Sequence, residues 1–254
     1  MPREAPLLAV LIDADNVSAK HAEAIFVEIA TLGEASVRRI YGDFSNKHLK
    51  GWADTLSSFA IVPHQQFANT IGKNSSDISL VIDAMDLLHS GRFDGFVLVS
   101  SDSDFTRLAS RIREHGLDVY GIGAQKTPEA FRKACKRFIF LENLGSEPGE
   151  SKATPIKSSK QSPDKAVALI EEAMRGIDID DDWYPLDRIG QRLVANHPDF
   201  DPRTFGAAKL GNLIESTGAF EVDRNSRPLR IRIAGQGAEK TGPATRQRRK
   251  SGRK

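Results

Sequence analysis

The chain holds a single cysteine, Cys135, in 254 residues. Neither an internal disulfide nor a cysteine-based zinc site can form, which fits a reducing, cytoplasmic setting. Long apolar runs are missing too. The run "LLAVLI" at residues 7–12 is too short for a signal core and lacks a basic flank of any length. No stretch approaches membrane-spanning length, and nothing repeats at a fixed period. Charge of one sign is scarce over the whole chain, at a net +2. It is unevenly placed, however. Residues 236–254 hold seven Lys or Arg against one Glu, a surplus of six that leaves the remainder at −4. A disordered basic tail on a slightly acidic body suits contact with phosphate backbones, although basic runs also serve solubility alone.

What is present is an alternation of short apolar runs and helical patterns, the signature of a parallel α/β sheet. The strands expected are "LLAVLI", "ASVRRIY", "AIVPHQQF", "GFVLVS", "LDVYGIG" and "RFIFL". Helices are expected over residues 20–32, 47–58, 77–89, 104–114 and 128–135. Residues 146–163 then turn rich in Gly, Ser, Pro and Lys, as a flexible linker does. A second compact unit spans 164–235, with three helices followed by a two-stranded hairpin, the layout of a winged helix. The division is therefore 1–145, a linker at 146–163, 164–235, and the tail at 236–254.

Chemistry concentrates where strands end. "LLAVLIDADN" closes an apolar strand on Asp13, Asp15 and Asn16, and "GFVLVSSDSDF" closes another on Asp102 and Asp104. Asp77 opens an amphipathic helix in the segment between them. In an open parallel sheet the carboxyl edge of the strands is the ligand-binding edge. Taken singly, each acid can be a helix cap or a solvated side chain. Together they make one acidic rim, with Asn16 and Ser101 as neutral oxygen donors and Asp15 facing solvent. Clustered carboxylates persist only when protons or cations neutralise them, and an all-oxygen set favours Mg²⁺ or Mn²⁺ over zinc. Asp83 ranks lower. It lies six residues beyond Asp77, roughly 9 Å along the helix and turned by about 120°.

The segments "LIDADN", "KNSSDISLVIDAM" and "VLVSSDSDF", in this order, resemble the NYN domains of the PIN-like nuclease superfamily, particularly the LabA-like group. The resemblance implies a PIN-like parallel sheet flanked by helices and metal-dependent ribonuclease activity. It makes Asp13 the first metal carboxylate, Asn16 its supporting amide, Asp77 the middle acid, and Asp102 and Asp104 the acids after the fourth strand. The chain departs from it at Asn74 and Ser75 and in the serines of "SSDSDF", positions where glycine is frequent. Lys73 would neutralise a phosphate beside Asp77, or is a solvated loop lysine. Residues 184–222 resemble the OST-HTH or LOTUS winged helix, a module associated with RNA or protein partners. Leu186, Ile189, Phe205, Leu210, Leu213 and Phe220 would form its core. Arg203, Lys209, Arg227, Arg230 and Arg232 would contact RNA phosphates, or are ordinary surface cations.

The expected activity is hydrolysis of RNA phosphodiesters with Mg²⁺ or Mn²⁺, the second domain and tail raising local substrate concentration across the linker. Two other readings stand beside it. A non-catalytic RNA- or protein-binding regulator would keep the same fold. A haloacid-dehalogenase-like phosphatase would use "DADNV" as its nucleophile motif, with Asp13 as nucleophile and Asp15 as acid/base. That fold places a hairpin after the motif, whereas here a long helical pattern begins almost at once.

Overall fold

The computed structural model describes residues 5–66, 75–145, 160–179 and 181–235. Lys73, most of the expected linker and the basic tail lie outside these residues. The first unit runs β1 (Leu7–Asp13), α1 (Ala22–Leu32), β2 (Glu34–Gly42), α2 (Lys50–Thr55), β3 (Val62–Gln65), α3 (Ser75–His89), β4 (Gly95–Val99), α4 (Thr106–Glu114), β5 (Asp118–Gly123), α5 (Glu129–Ala134) and β6 (Arg137–Phe140). All six strands pair in parallel, in the order β3-β2-β1-β4-β5-β6.

Helices cover both faces, which explains why the central strands are apolar throughout. Along β1, Leu8, Val10 and Ile12 pack with Ile25 and Ile29 of α1 and Trp52 of α2. Ala9 and Leu11 face the other way, toward Leu80 and Ala84 of α3 and Ala109 of α4. On β4, Val97 and Val99 join the first layer and Phe96 and Leu98 the second. Of the expected strands, "AIVPHQQF" shrinks most, to four paired residues.

The second unit contains α6 (Asp164–Arg175), β7 (Tyr184–Pro185), α7 (Leu186–Asn196), α8 (Leu210–Thr217), β8 (Phe220–Asp223) and β9 (Arg230–Ile233). Its antiparallel sheet has three strands, β7-β9-β8, where the sequence suggests two. A two-residue strand carries no periodicity of its own, and β7 exists only through its pairing with Arg230 and Ile231. Ile189, Phe205, Leu213 and Phe220 are buried in this unit's own core, and Leu186 and Leu210 pack against it.

The two units are docked against each other. The edge strand β6 donates the Phe138 amide to the Pro198 carbonyl at 2.8 Å, which helps cover an edge otherwise open to pairing. Asn143 Nδ2 donates to Thr204 Oγ1 at 2.9 Å, with both residues buried. Arg132 pairs with Asp199. Arg203 reaches Glu28 of α1 with two hydrogen bonds, at 2.9 and 3.2 Å, and also grips Asp201. The described residues of the two units therefore meet directly.

Candidate active site

β1 and β4 are neighbours at the point where the chain order of the sheet reverses. Loops leaving two such strands diverge toward opposite faces and open a crevice between them. Asp13 is the last residue of β1 and only 1% exposed. Side-chain alternation puts it on the α3–α4 face, in line with Ala9 and Leu11. By the same alternation Ser100, two residues after Leu98, lies on that face, and Ser101 lies on the other.

Contacts follow this parity. Ser100 Oγ donates to Asp13 Oδ2 at 2.8 Å and accepts the Asp102 amide at 3.1 Å. It therefore links the first acidic segment to the third. Ser101 Oγ instead accepts the Ala124 amide at 2.8 Å, so the sequence expectation of Ser101 as the nearby neutral oxygen is corrected to Ser100. Asn16 Nδ2 donates to Asp13 Oδ2 at 2.8 Å. Asp13 Oδ1 also accepts the amides of Asp15 and Asn16, at 3.1 and 3.3 Å. Burial raises the Asp13 pKa, partly offset by the bonds from Ser100 and Asn16.

Asp102 caps the 3-10 turn Ser103–Phe105 by accepting the Asp104 amide at 2.9 Å. A capping role and a place at the rim are thus compatible. Asp77 stands in the first turn of α3. Its carboxyl pKa is pushed up to about 6, first by burial and then by the fields of Asp13, Asp102, Asp104 and Asp15. The four acids nominated from sequence therefore face one electrostatic neighbourhood, although they come from three separate chain segments. Asp15 is exposed, as expected, yet it accepts a 3.3 Å hydrogen bond from Ser76 Oγ. Asp83 belongs elsewhere, bonded to Arg39 and Tyr41 at 2.8 Å each.

Among the described residues no three His, Cys, Asp or Glu side chains form a ready metal cage. The donor set is nevertheless all-oxygen, and, after burial, the carboxylates of Asp13, Asp102 and Asp104 raise the pKa of Asp77 beside them. Those features suit a hard divalent cation that retains several waters.

The raised Asp77 pKa has a consequence for stability. Asp77 binds its proton more tightly in the folded than in the unfolded chain, over the range from the ordinary carboxyl value of 3.8 to about 6. Its stabilising contribution is therefore complete below the lower value and lost as pH rises through the upper one. In chelator-containing buffer, Asp77→Asn should raise the Tm above about pH 6 and leave it unchanged below about pH 4. Thermal melts across this range check the sign, and a variant less stable at the higher pH would contradict it.

The cations nominated in the second unit separate into two groups. Arg203 is engaged at the domain contact, so it is not a free phosphate ligand. Arg230 pairs with Asp181 and Asp223, and Arg232 with Glu221. The Arg232 guanidinium also sits 4.7 Å from the centroid of the Trp183 ring. Lys209 and Arg227 are exposed.

A parallel α/β sheet with carboxylates gathered at its switch point is the layout of a PIN-like nuclease domain. The chain belongs to the NYN domain family, whose profile matches residues 7–142. Residues 157–231 match the OST-HTH/LOTUS domain, an RNA-binding module. The NYN family is typically nuclease. No curated protein matches the chain. Among solved structures it is similar to a protein of unknown function from Vibrio parahaemolyticus RIMD 2210633, at 20% identity and a TM-score of 0.45, covering 54% of this chain and 94% of that one. No helix among the described residues is long and apolar enough to cross a membrane.

Proposed function

We propose that the chain is a metal-dependent ribonuclease of the cytoplasm, hydrolysing RNA phosphodiesters at the crevice between β1 and β4. The observation that carries this reading is the Ser100 hydroxyl joining Asp13 Oδ2 to the Asp102 amide at the carboxyl edge of β1 and β4, with the Asp77 carboxyl pKa raised by burial and by the same acids. The reading divides the chain into a nuclease unit (1–145), a connection (146–163), an RNA-binding winged helix (164–235) and a basic tail (236–254).

Asp13, Asp77, Asp102 and Asp104 would hold Mg²⁺ or Mn²⁺. When bound, such an ion lowers the pKa of a water and offsets charge building on the leaving oxygen. Ser100 fixes the direction of the Asp13 carboxylate, and its acceptor bond from the Asp102 amide sets the spacing between the two acidic loops. Asn16 holds Asp13 through its amide nitrogen, and its amide oxygen would bind a ligand or a metal-bound water. Lys73 would neutralise a phosphate next to the scissile one. In the second unit, the exposed Lys209 and Arg227 are the nominated cations best placed to meet RNA, with the tail adding non-specific affinity. After β1 comes the 3-10 turn Ala19–His21 and then α1, not a hairpin, which favours a nuclease over a haloacid-dehalogenase-like phosphatase.

The test is incubation of the purified chain with labelled single-stranded and structured RNA in Mg²⁺, Mn²⁺ or chelator. Cleavage should require the metal, and Asp102→Asn should slow it by at least roughly 10²-fold. RNA bound but never cut under any of these conditions would overturn the enzyme reading in favour of a regulator.

A further inference from the structure

The carboxyl edge of the sheet carries a second polar cluster, beside the acidic rim but separate from it. Register places Asp13 of β1 opposite Tyr41 of β2, and Tyr41 opposite His64 of β3. The three residues form one row, with the His64 α-carbon two strand spacings, about 10 Å, from that of Asp13. They also share a face. Tyr41 packs with Leu11, Leu80 and Ala84, and His64 meets Asp83 of α3, the helix that carries Asp77 to the rim.

The cluster holds the His64 ring in one orientation. Its Nδ1 stands 3.3 Å from Asp83 Oδ2, and its centroid lies 5.0 Å from that of the Tyr41 ring. Asp83 is itself fixed, accepting from Arg39 Nη1 and the Tyr41 hydroxyl at 2.8 Å each. A carboxylate can only accept, so the Nδ1 beside it carries the ring proton and Nε2 keeps a lone pair. Burial, helped by the Arg39 charge and opposed by Asp83, holds the imidazole pKa below its ordinary value, which favours the neutral ring. Among the described residues Nε2 has no hydrogen-bond partner, and it is not a buried atom.

What such a nitrogen can take is narrow. It repels phosphate oxygens, which also only accept. A base has no surface to stack on here, because the Tyr41 ring is wholly buried and already faced by His64. A ribose 2′-hydroxyl can donate, and it is the group by which a protein tells RNA from DNA.

We propose that His64 Nε2 accepts a hydrogen bond from the 2′-hydroxyl of a nucleotide flanking the scissile phosphate, so that the Arg39–Tyr41–Asp83 cluster serves to aim a ribose-reading acceptor. The proposal rests on the nuclease reading, which puts the scissile phosphate over Asp13, but the contact can be measured without cleavage.

Two oligonucleotides of one sequence test it in chelator, one all-ribose and one with 2′-fluoro in place of every 2′-hydroxyl. Fluorine leaves the sugar without a donor. His64→Ala should cut the preference of the wild type for the ribose strand by about five-fold, the loss expected for one neutral hydrogen bond. His64→Gln, whose amide oxygen can accept, should keep most of that preference. In a long-range ¹H–¹⁵N spectrum of the wild type, His64 should show a protonated Nδ1 and a bare Nε2, and the ribose strand but not the fluoro strand should shift Nε2. This measurement needs no variant, so it decides the matter even where His64→Ala does not fold. A proton on Nε2 would overturn the acceptor role. Equal preference in the wild type and His64→Ala, in a protein that cuts RNA with metal, would overturn the contact and leave the nuclease standing. A preference that His64→Ala removes, in a protein that cuts no RNA, would uphold the contact and remove the nuclease reading.

Discussion

Asp13→Asn is expected to reduce metal-dependent RNA cleavage by about 10²–10³-fold while leaving the Tm close to that of the wild type. The carboxylate is 1% exposed and is held by Ser100, Asn16 and two backbone amides. An asparagine of the same shape keeps an oxygen for the amides of Asp15 and Asn16. Its nitrogen would face Ser100 and Asn16, of which the first can rotate its hydroxyl to accept and the second is exposed. What disappears is one negative charge from a buried position, so the stability cost is small and the chemical cost large. RNA affinity in chelator should rise, because one repulsive charge near the phosphate path is gone. Single-turnover cleavage, a thermal melt and a binding isotherm on the same preparation separate these effects. Cleavage at the wild-type rate would remove Asp13 from the site.

Arg203→Ala is expected to cost about 2 kcal/mol of stability, after allowance for partial exposure of the pair. The salt dependence of RNA binding should not change. The guanidinium makes hydrogen bonds to both carboxylate oxygens of Glu28 and to Asp201, and removing it leaves two acids facing each other at the domain contact. The Arg203 pKa is raised because these two carboxylates outweigh the burial that opposes its charge. A phosphate-contacting cation behaves differently, since its loss lowers the salt slope of binding by about one. Hydrogen exchange at the Phe138 amide adds a local readout, because its acceptor is Pro198 across the same contact. Faster exchange there, with an unaltered salt slope, is the result expected. A reduced slope with unchanged exchange would return Arg203 to the RNA-binding set.

Docking also changes how the second unit can serve the first. A module on a free tether raises local substrate concentration without fixing direction. A module held through Glu28, Asn143 and β6 presents its exposed cations at a constant distance from the crevice, so it can set a path as well as a concentration.

The fold was readable wherever local pattern is sufficient. Strands covered by helices on both faces must be apolar, so "LLAVLI" and "GFVLVS" announced themselves, and α3 showed through its amphipathic spacing. β7 left no trace, because two residues have no period and its pairing partner lies more than forty residues further along the chain. Asp13, Asp102 and Asp104 stood out because acids are out of place after a buried strand, and Asp77 because it opens an amphipathic helix between those two segments. Ser100 was passed over in favour of Ser101, since two adjacent serines differ in nothing but the face to which the pleat turns them.

Sequence alone determined the six parallel strand segments and the main helices, the acidic residues gathered in three segments, and the core of the winged helix. Each of these follows from burial and periodicity within a short window. The tertiary structure alone decided that Ser100 joins Asp13 to Asp102, that Arg203 serves a contact between domains, and that His64 stands in one row with Asp13. The physical reason is distance along the chain: Ser100 and Asp13 are 87 residues apart and Arg203 and Glu28 are 175 apart, so only the pairing of β1 with β4 and the docking of the second unit bring those atoms together.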